Sequence, residues 1–126
     1  MQGMPIDVYG DGTASRDFTY VETVLDIAMT AMKEKVLTEG AMNLAYGNRI
    51  FLNDTIEMLK KHFPDLQVNY RENRLGDVKE SQNSPSLLKS LFPTITPKPF
   101  KDALAETVVW LKDFGQSVAN GPKTVD

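Results

Sequence analysis

The sequence predicts a mixed α/β fold with about four short strands and four helices in a single domain. The first observation is a set of short apolar or alternating runs, each ended by a turn signal, at residues 5–9, 17–21, 41–46 and 66–70. The second is a set of longer segments with apolar residues at helical spacing. A chain of 126 residues is long enough to bury a core of its own.

Each predicted strand has its own local justification. Residues 5–9 alternate apolar with polar and run into the turn Gly10-Asp11-Gly12. Residues 17–21 place Phe18 and Tyr20 on one face. The run 41–46 has the composition of a buried strand, and residues 66–70 alternate again.

Four helices are predicted. In chain order they cover residues 23–36, residues 53–62, a short stretch from Ser84-Pro85 to just before Pro93, and residues 100–114. Thr23 and Asp26 can form a capping box for the first of them. Phe51 cannot cap the helix that follows it, so that helix is predicted to begin at Asn53. Gly115 suits the position after the last helix. Residues 1–115 are therefore predicted to form the domain, and residues 116–126 a flexible tail.

Composition excludes several classes of function. The net charge of −3 and the pI of about 5.1 argue against non-specific electrostatic binding to nucleic acid. The chain has no cysteine and one histidine, which argues against a cysteine- or histidine-rich metal site. No apolar run approaches the roughly 18 residues that span a membrane. Without a signal-peptide pattern at the start, the expected location is the cytoplasm.

Three arginines beside glycines or turns, Arg16, Arg49 and Arg74, are candidates for an anion site. A guanidinium offers a planar pair of donors that suits phosphate. The alternative is an ordinary surface salt bridge, for example with Asp17 or Asp77. The glycine turn is not a dinucleotide fingerprint, because Ser15 stands where the third glycine would be.

Four segments, at residues 9–21, 43–54, 70–81 and 100–112, carry a more specific signal. They are YGDGTASRDFTYV, NLAYGNRIFLND, YRENRLGDVKES and FKDALAETVVWLK. In this order they resemble signatures of the extended short-chain dehydrogenase/reductase family, and within it the NAD-dependent nucleotide-sugar epimerases and dehydratases. The resemblance is strongest to 4-epimerases of UDP-N-acetylglucosamine and UDP-glucuronate. It covers about residues 4–114 and corresponds to the carboxyl-terminal third of such an enzyme, without the NAD-binding Rossmann unit.

The resemblance implies substrate contacts, but no catalytic or metal-binding residue. Arg16 and Arg74 would bind the diphosphate of a UDP-sugar, and Asp77 would accept hydrogen bonds from the ribose hydroxyls. Val8 and Tyr9 would lie against the uracil, partly through backbone groups. Two further residues belong to a matching segment without a defined ligand role, Asn43 and Arg49.

Two features of the family's chemistry are missing from the sequence. One is the glycine-rich βαβ unit that holds NAD. The other is a Tyr-x-x-x-Lys pair, since no tyrosine is followed four residues later by lysine. The resemblance therefore implies a UDP-sugar recognition module that binds no cofactor by itself, with NAD belonging to the complete enzyme. Its expected partners are a UDP-sugar and either a missing NAD-binding domain or further copies of the chain. The alternative is a scaffold or oligomerising protein that keeps the fold without binding the ligand.

Overall fold

The computed structural model describes residues 4–119, with side chains as far as Gly115. Within this range the predicted mixed α/β fold of four strands and four helices is confirmed. In chain order the elements are β1 Ile6–Tyr9, β2 Ser15–Arg16, α1 Val21–Glu34, β3 Ile50–Phe51, α2 Leu52–His62, β4 Val68–Arg71, α3 Ser86–Leu91 and α4 Phe100–Ala119.

The strands form two small sheets. β1 pairs with β4 in parallel, from Ile6 opposite Val68 to Tyr9 opposite Arg71. β2 pairs with β3 in antiparallel fashion, and Ser15 of β2 makes an isolated parallel bridge with Glu80. Because parallel strands end at the same edge, the loops that follow β1 and β4 leave the sheet side by side.

The principal core lies between α1, α3 and the segments around them. Its centre is formed by four buried residues, Ile27, Tyr46, Leu88 and Phe92. Elsewhere Val8 of β1, Ile56 of α2 and Val108 of α4 are also buried. Burial of this kind supplies most of the favourable free energy of folding.

Two predicted strands are wrong. The strand of residues 15–16 precedes the predicted run 17–21, whose aromatic side chains turn toward α4 instead of lying on a sheet face. The rings of Phe18 and Phe100 are 5.0 Å apart, and the Tyr20 hydroxyl donates to Glu106 at 3.0 Å. The run 41–46 is not a strand in the described structure. Ala45 and Tyr46 are buried, and Met42 and Leu44 pack partly buried against the core beside α1 and α3. An apolar run shows that a segment is buried, but not that it has a neighbouring strand.

The predicted helix starts are also displaced. α1 begins at Val21, so Thr23 lies inside the helix, where its buried hydroxyl accepts the backbone N–H of Lys98 at 3.4 Å. α2 begins at Leu52, one residue before the predicted start. Its first N–H groups are satisfied by backbone carbonyls of the preceding loop: Leu52 donates to Ala14 at 2.9 Å and Asn53 to Gly12 at 3.0 Å. A distant loop thus replaces the side-chain cap that the local sequence lacks.

The last helix does not end at Gly115 as predicted. It continues to Ala119, so the first residues of the predicted tail are helical. Residues 120–126 lie outside the described part of the chain, and the division into residues 1–115 and 116–126 stays a prediction.

Gly12 is the position where this fold most needs glycine. Its φ of +74° belongs to the left-handed region, and a Cβ atom there would overlap the side-chain amide of Asn53. The Asn53 amide in turn donates to the carbonyl of Asp11 at 3.1 Å. A side chain at position 12 would therefore strain the turn and displace the Asn53 amide from its hydrogen bond to Asp11.

We expect Gly12→Ala to lower the free energy of unfolding by about 1–3 kcal/mol, because it adds backbone strain and an overlap. Gly115→Ala is the matched control, since no atom lies within 4 Å of the added methyl group. Alanine in the interior of α4 should raise stability by up to about 1 kcal/mol. Urea unfolding of both variants measures the difference, and equal effects would contradict the assigned role of Gly12.

Lys98 joins the start of α1 to α4. Its ammonium nitrogen lies 2.6 Å from a carboxylate oxygen of Glu22 and 2.6 Å from one of Glu106. Hydrogen bonds from Lys98, and then from Tyr20, hold the pKa of Glu106 below its ordinary value of 4.5. Hydrogen bonds to Glu106 and Glu22 raise the pKa of Lys98. Lys98 and Glu106 are therefore both charged across the neutral range.

These pKa shifts predict how stability depends on pH. A lowered carboxyl pKa contributes stability above the unfolded value of 4.5, and that contribution is lost as the pH falls through the lowered pKa. Lys98→Met should therefore lower the melting temperature at pH 7, and the gap from the unaltered protein should close in acid. Lys101→Met, on an exposed part of α4, is the control. Thermal unfolding between pH 3 and pH 7 measures the gap, and a gap independent of pH would contradict the assignment.

Candidate functional site

A cleft of about 310 Å³ lies at the carboxyl ends of β1 and β4. Its lining comes from two segments of the chain, within residues 9–16 and 73–79. Ligands of α/β proteins commonly bind beyond the carboxyl ends of parallel strands, where two loops diverge. The parallel pairing of β1 with β4 creates this position from segments more than sixty residues apart.

Tyr9 and Arg74 form one end of the cleft. Tyr9 is the last residue of β1 and keeps 37% of its surface exposed. The central carbon of the Arg74 guanidinium lies 3.5 Å from the centre of the Tyr9 ring. This cation–π contact holds an otherwise exposed arginine in the lining of the cleft.

Arg16 enters the cleft from β2. One of its guanidinium nitrogens donates to the carbonyl of Ser15 at 2.8 Å. The next residue, Asp17, lies outside the cleft and accepts the N–H groups of Gly47 at 2.7 Å and Asn48 at 3.1 Å. Arg16 therefore lines the cleft, whereas Asp17 holds the loop at Gly47 and Asn48. The two residues do not form a salt bridge with each other.

Ion pairing separates the four arginines of the described residues into two groups. Arg49 pairs with Glu80 and Arg71 with Asp7. Arg16 and Arg74 have no carboxylate within 4.0 Å in residues 4–115. The two arginines that line the cleft are therefore the two whose charge is not offset by a direct partner.

Asp77 contributes a carboxylate to the same cleft. Its N–H donates to the carbonyl of Arg74 at 3.2 Å, which closes a turn over Gly76. Gly76 has a φ of +87°, a conformation that a side chain disfavours. The turn therefore brings Arg74 and Asp77 to the cleft together.

The remaining predicted site residues do not line this cleft. Val8 is 3% exposed, and its side chain belongs to the interior. Asn43 donates to the side chain of Asn83 at 3.4 Å. Arg49 is paired with Glu80 and lies over the ring of Phe51, 5.3 Å from its centre. Of the seven predicted residues, the structure thus brings together Tyr9, Arg16, Arg74 and Asp77.

The cleft also contains polar residues that the sequence prediction did not include. Asp11 accepts the hydroxyl and the N–H of Thr13, and these two hydrogen bonds lower the pKa of its carboxyl. Asn73 and Lys79 also line the cleft. No local signal singles out Lys79, because a lysine in a polar loop is common at protein surfaces. With Arg16, Arg74 and Lys79 against Asp11 and Asp77, the lining has one more positive charge than negative.

Two other classes of site find no support in the described part of the chain. Within residues 4–115, no three acidic or histidine side chains cluster in a way that could hold a metal ion. None of the helices up to Ala119 combines the length and hydropathy needed to cross a membrane.

Comparison with known proteins gives relatives in both sequence and structure, although no protein-family model matches. The chain is 31% identical over 111 residues to UDP-glucuronate 4-epimerase of Thermodesulfobacterium geofontis, covering 86% of this chain and 34% of the relative. Its structure matches UDP-N-acetylglucosamine 4-epimerase of Methanobrevibacter ruminantium with a TM-score of 0.75 and 30% identity, over 88% of this chain and 36% of the other. UDP-glucose 4-epimerase of Thermotoga maritima gives a TM-score of 0.78 at 25% identity, over 90% of this chain and 36% of the other.

The chain is homologous to part of an extended short-chain dehydrogenase/reductase. The resemblance predicted from the four motifs is thereby confirmed, and so is the fold class. This chain spans about a third of the length of the curated relatives that it matches. The match to the short-chain dehydrogenase/reductases thus concerns one portion of those proteins.

Proposed function

We propose that this chain is the UDP-sugar recognition module of an NAD-dependent sugar epimerase or dehydratase, and that it is not catalytically complete alone. The observation that carries the proposal is the convergence of Arg16 and Arg74, both without carboxylate partners, on one cleft beside the exposed ring of Tyr9. The printed names of the relatives, which are epimerases of UDP-glucuronate, UDP-N-acetylglucosamine and UDP-glucose, support the ligand class.

Each lining residue has a chemical role in this proposal. Arg16 and Arg74 offset the two charges of the diphosphate with charge-assisted hydrogen bonds. Asp77 accepts hydrogen bonds from the vicinal hydroxyls of the ribose. The Tyr9 ring and the backbone of Val8 and Tyr9 lie beside the base. The base would share the Tyr9 surface with Arg74, whose guanidinium already stacks there.

Asn43 and Arg49 are proposed only as outer contacts of the ligand. Arg49 would have to exchange Glu80 for the ligand, and Asn43 is hydrogen-bonded to Asn83. Their position supports a role in shaping the loop that Asp17 anchors. Binding to the cleft does not depend on either residue.

NAD is proposed to belong to a further domain or polypeptide. The sequence has neither a glycine fingerprint nor a Tyr-x-x-x-Lys pair, so this chain offers no group that would exchange a proton with the sugar hydroxyl. The chemistry of the complete enzyme would require both. The role left to this chain is to hold and orient the nucleotide.

The outer face of α1 supports the need for a partner. This face, defined by Val21, Leu25, Met29 and Met32, is 56–67% exposed. The opposite side of α1 carries the buried residues Thr23 and Ile27. A helix that is apolar on two sides is normally covered on both. An NAD-binding domain or a second copy of the chain would cover the outer face of α1.

The same face favours a second candidate function. A scaffold or oligomerising protein would use the outer face of α1 and would not need the cleft. Ligand binding distinguishes the two functions, because only the recognition module requires Arg16 and Arg74.

We expect UDP to bind the isolated chain, and Arg16→Ala and Arg74→Ala each to weaken binding by about 10- to 100-fold, the value of a charged hydrogen bond. Arg71→Ala is the matched control, because it removes the same charge from an arginine paired with Asp7 outside the cleft. Titration calorimetry measures all four proteins. No binding at millimolar UDP, or equal loss in all three variants, would exclude the module and favour the scaffold.

We expect the chain to show no epimerisation of UDP-glucuronate or UDP-N-acetylglucosamine when NAD is supplied. The reason is the lack of a proton-transferring tyrosine and of a cofactor fingerprint. Chromatography of the nucleotide sugars after long incubation measures the outcome. Conversion above a protein-free blank, and its loss in Arg74→Ala, would show that the chain is a complete enzyme.

A further inference from the structure

A second cavity, of about 350 Å³, lies beside α3 and the segment that joins α3 to α4. Its lining consists of Tyr46, Lys89 of α3 and side chains within residues 92–97. It shares no lining residue with the cleft at the carboxyl ends of β1 and β4. A cavity of this volume is within the size range of protein sites for small molecules.

The walls of this cavity are mostly apolar and are held in place by the core. Tyr46 and Phe92 are two of the four residues at the centre of the core, and Ile95 packs against them. The N–H of Ile95 donates to the carbonyl of Phe92 at 3.2 Å, which closes the turn after α3. Pro93 and Pro97 restrict the backbone further. The cavity is therefore a preformed feature of the fold.

The hydroxyl group of Tyr46 is the exception in this apolar setting. Tyr46 is only 6% exposed, and its buried hydroxyl has no hydrogen-bond partner among residues 4–115. Burial, and then the negative charge of Asp26, raise the pKa of this hydroxyl, so it carries its proton across the neutral range. A buried donor without a partner lowers the stability of a fold, so its presence requires an explanation.

The lining of the cavity specifies a class of ligand. Apolar walls favour an apolar molecule, and the protonated hydroxyl of Tyr46 favours one oxygen that accepts a hydrogen bond. A carboxylate is disfavoured, because the negative charge of Asp26 already acts on the same hydroxyl. Lys89 is exposed, so its ammonium group can stay in water while its methylene stem lines the cavity.

We propose that this cavity binds a small, uncharged and largely apolar molecule whose carbonyl oxygen accepts a hydrogen bond from the Tyr46 hydroxyl. The hydroxyl oxygen is itself buried, so binding requires a small shift of the Tyr46 side chain toward the occupant. The ligand supplies the partner that the described chain does not. This site goes beyond the proposed function, since it uses no residue of the cleft and does not depend on UDP.

The test uses two probes of the same shape, acetophenone and α-methylstyrene, which has a methylene group in place of the carbonyl oxygen. We expect NMR titration of the full chain with either probe to shift the amide signals of Phe92 and Ile95. Tyr46→Phe should weaken acetophenone about two- to tenfold, the value of one hydrogen bond, and leave α-methylstyrene unaffected. Tyr20→Phe removes a hydroxyl outside the cavity and should change neither affinity.

Thermal unfolding without a probe gives an independent measure. Tyr46→Phe should raise the melting temperature by about 2–6 °C, because it removes a buried hydroxyl that has no partner. Tyr20→Phe should not raise the melting temperature, since that hydroxyl donates to Glu106. The same measurement shows whether each variant is folded.

Three results would overturn the inference. The first is that neither probe shifts the signals of Phe92 and Ile95 at millimolar concentration. The second is that Tyr46→Phe changes the affinity for both probes equally. The third is that Tyr46→Phe melts no higher than the unaltered chain, because the hydroxyl would then have a partner in solution. Titration of Tyr46→Phe with UDP should give the affinity of the unaltered chain, so failure of this inference is distinguishable from failure of the proposed function.

Discussion

The parallel pairing of β1 with β4 is the interaction on which the candidate site depends. Four residue pairs, from Ile6 with Val68 to Tyr9 with Arg71, bring two distant segments together so that both leave the sheet at the same edge. The hydrogen bond from the Gly10 N–H to the Arg71 carbonyl, at 2.9 Å, extends this pairing to the start of the cleft. Without the pairing of β1 with β4, nothing would bring Tyr9 and Arg74 into contact. A two-stranded sheet is marginal by itself, so the helices packed around it are also part of the site.

The glycine turn after β1 connects this sheet to α2 and to the second sheet. Its carbonyls at Gly12 and Ala14 cap α2, and β2, which follows directly, pairs with β3 and contacts residues 79–81. One segment of eight residues, from Tyr9 to Arg16, thus supplies an aromatic ring, a helix cap and a guanidinium.

The sequence predicted the number and the order of the helices well, because their apolar periodicity is a property of the segment itself. It failed for the runs 17–21 and 41–46, since whether an apolar segment becomes a strand depends on a distant neighbour. The same distinction applies to the site. Arg16 and Arg74 could be singled out by their place beside turns, but that Arg49 pairs with Glu80 follows only from the tertiary structure. Lys79 was missed because lysine in a polar loop is the commonest surface residue and carries no local signal.

The proposed function separates two requirements that a complete epimerase would combine. Nucleotide recognition would use the cleft, which is formed by backbone hydrogen bonds and glycine turns within the described chain. Turnover would need groups beyond those of the cleft, and the outer face of α1 is where their carrier would find apolar surface to bury. At about 25 cal/mol per Å² of apolar area, covering four large side chains contributes several kcal/mol to association. The cleft residues and the outer face of α1 belong to different elements, so a substitution on that face leaves the lining of the cleft unaltered. In the proposed function, the cleft would therefore be complete within this chain, and the groups that carry out the chemistry would come from the partner that covers α1.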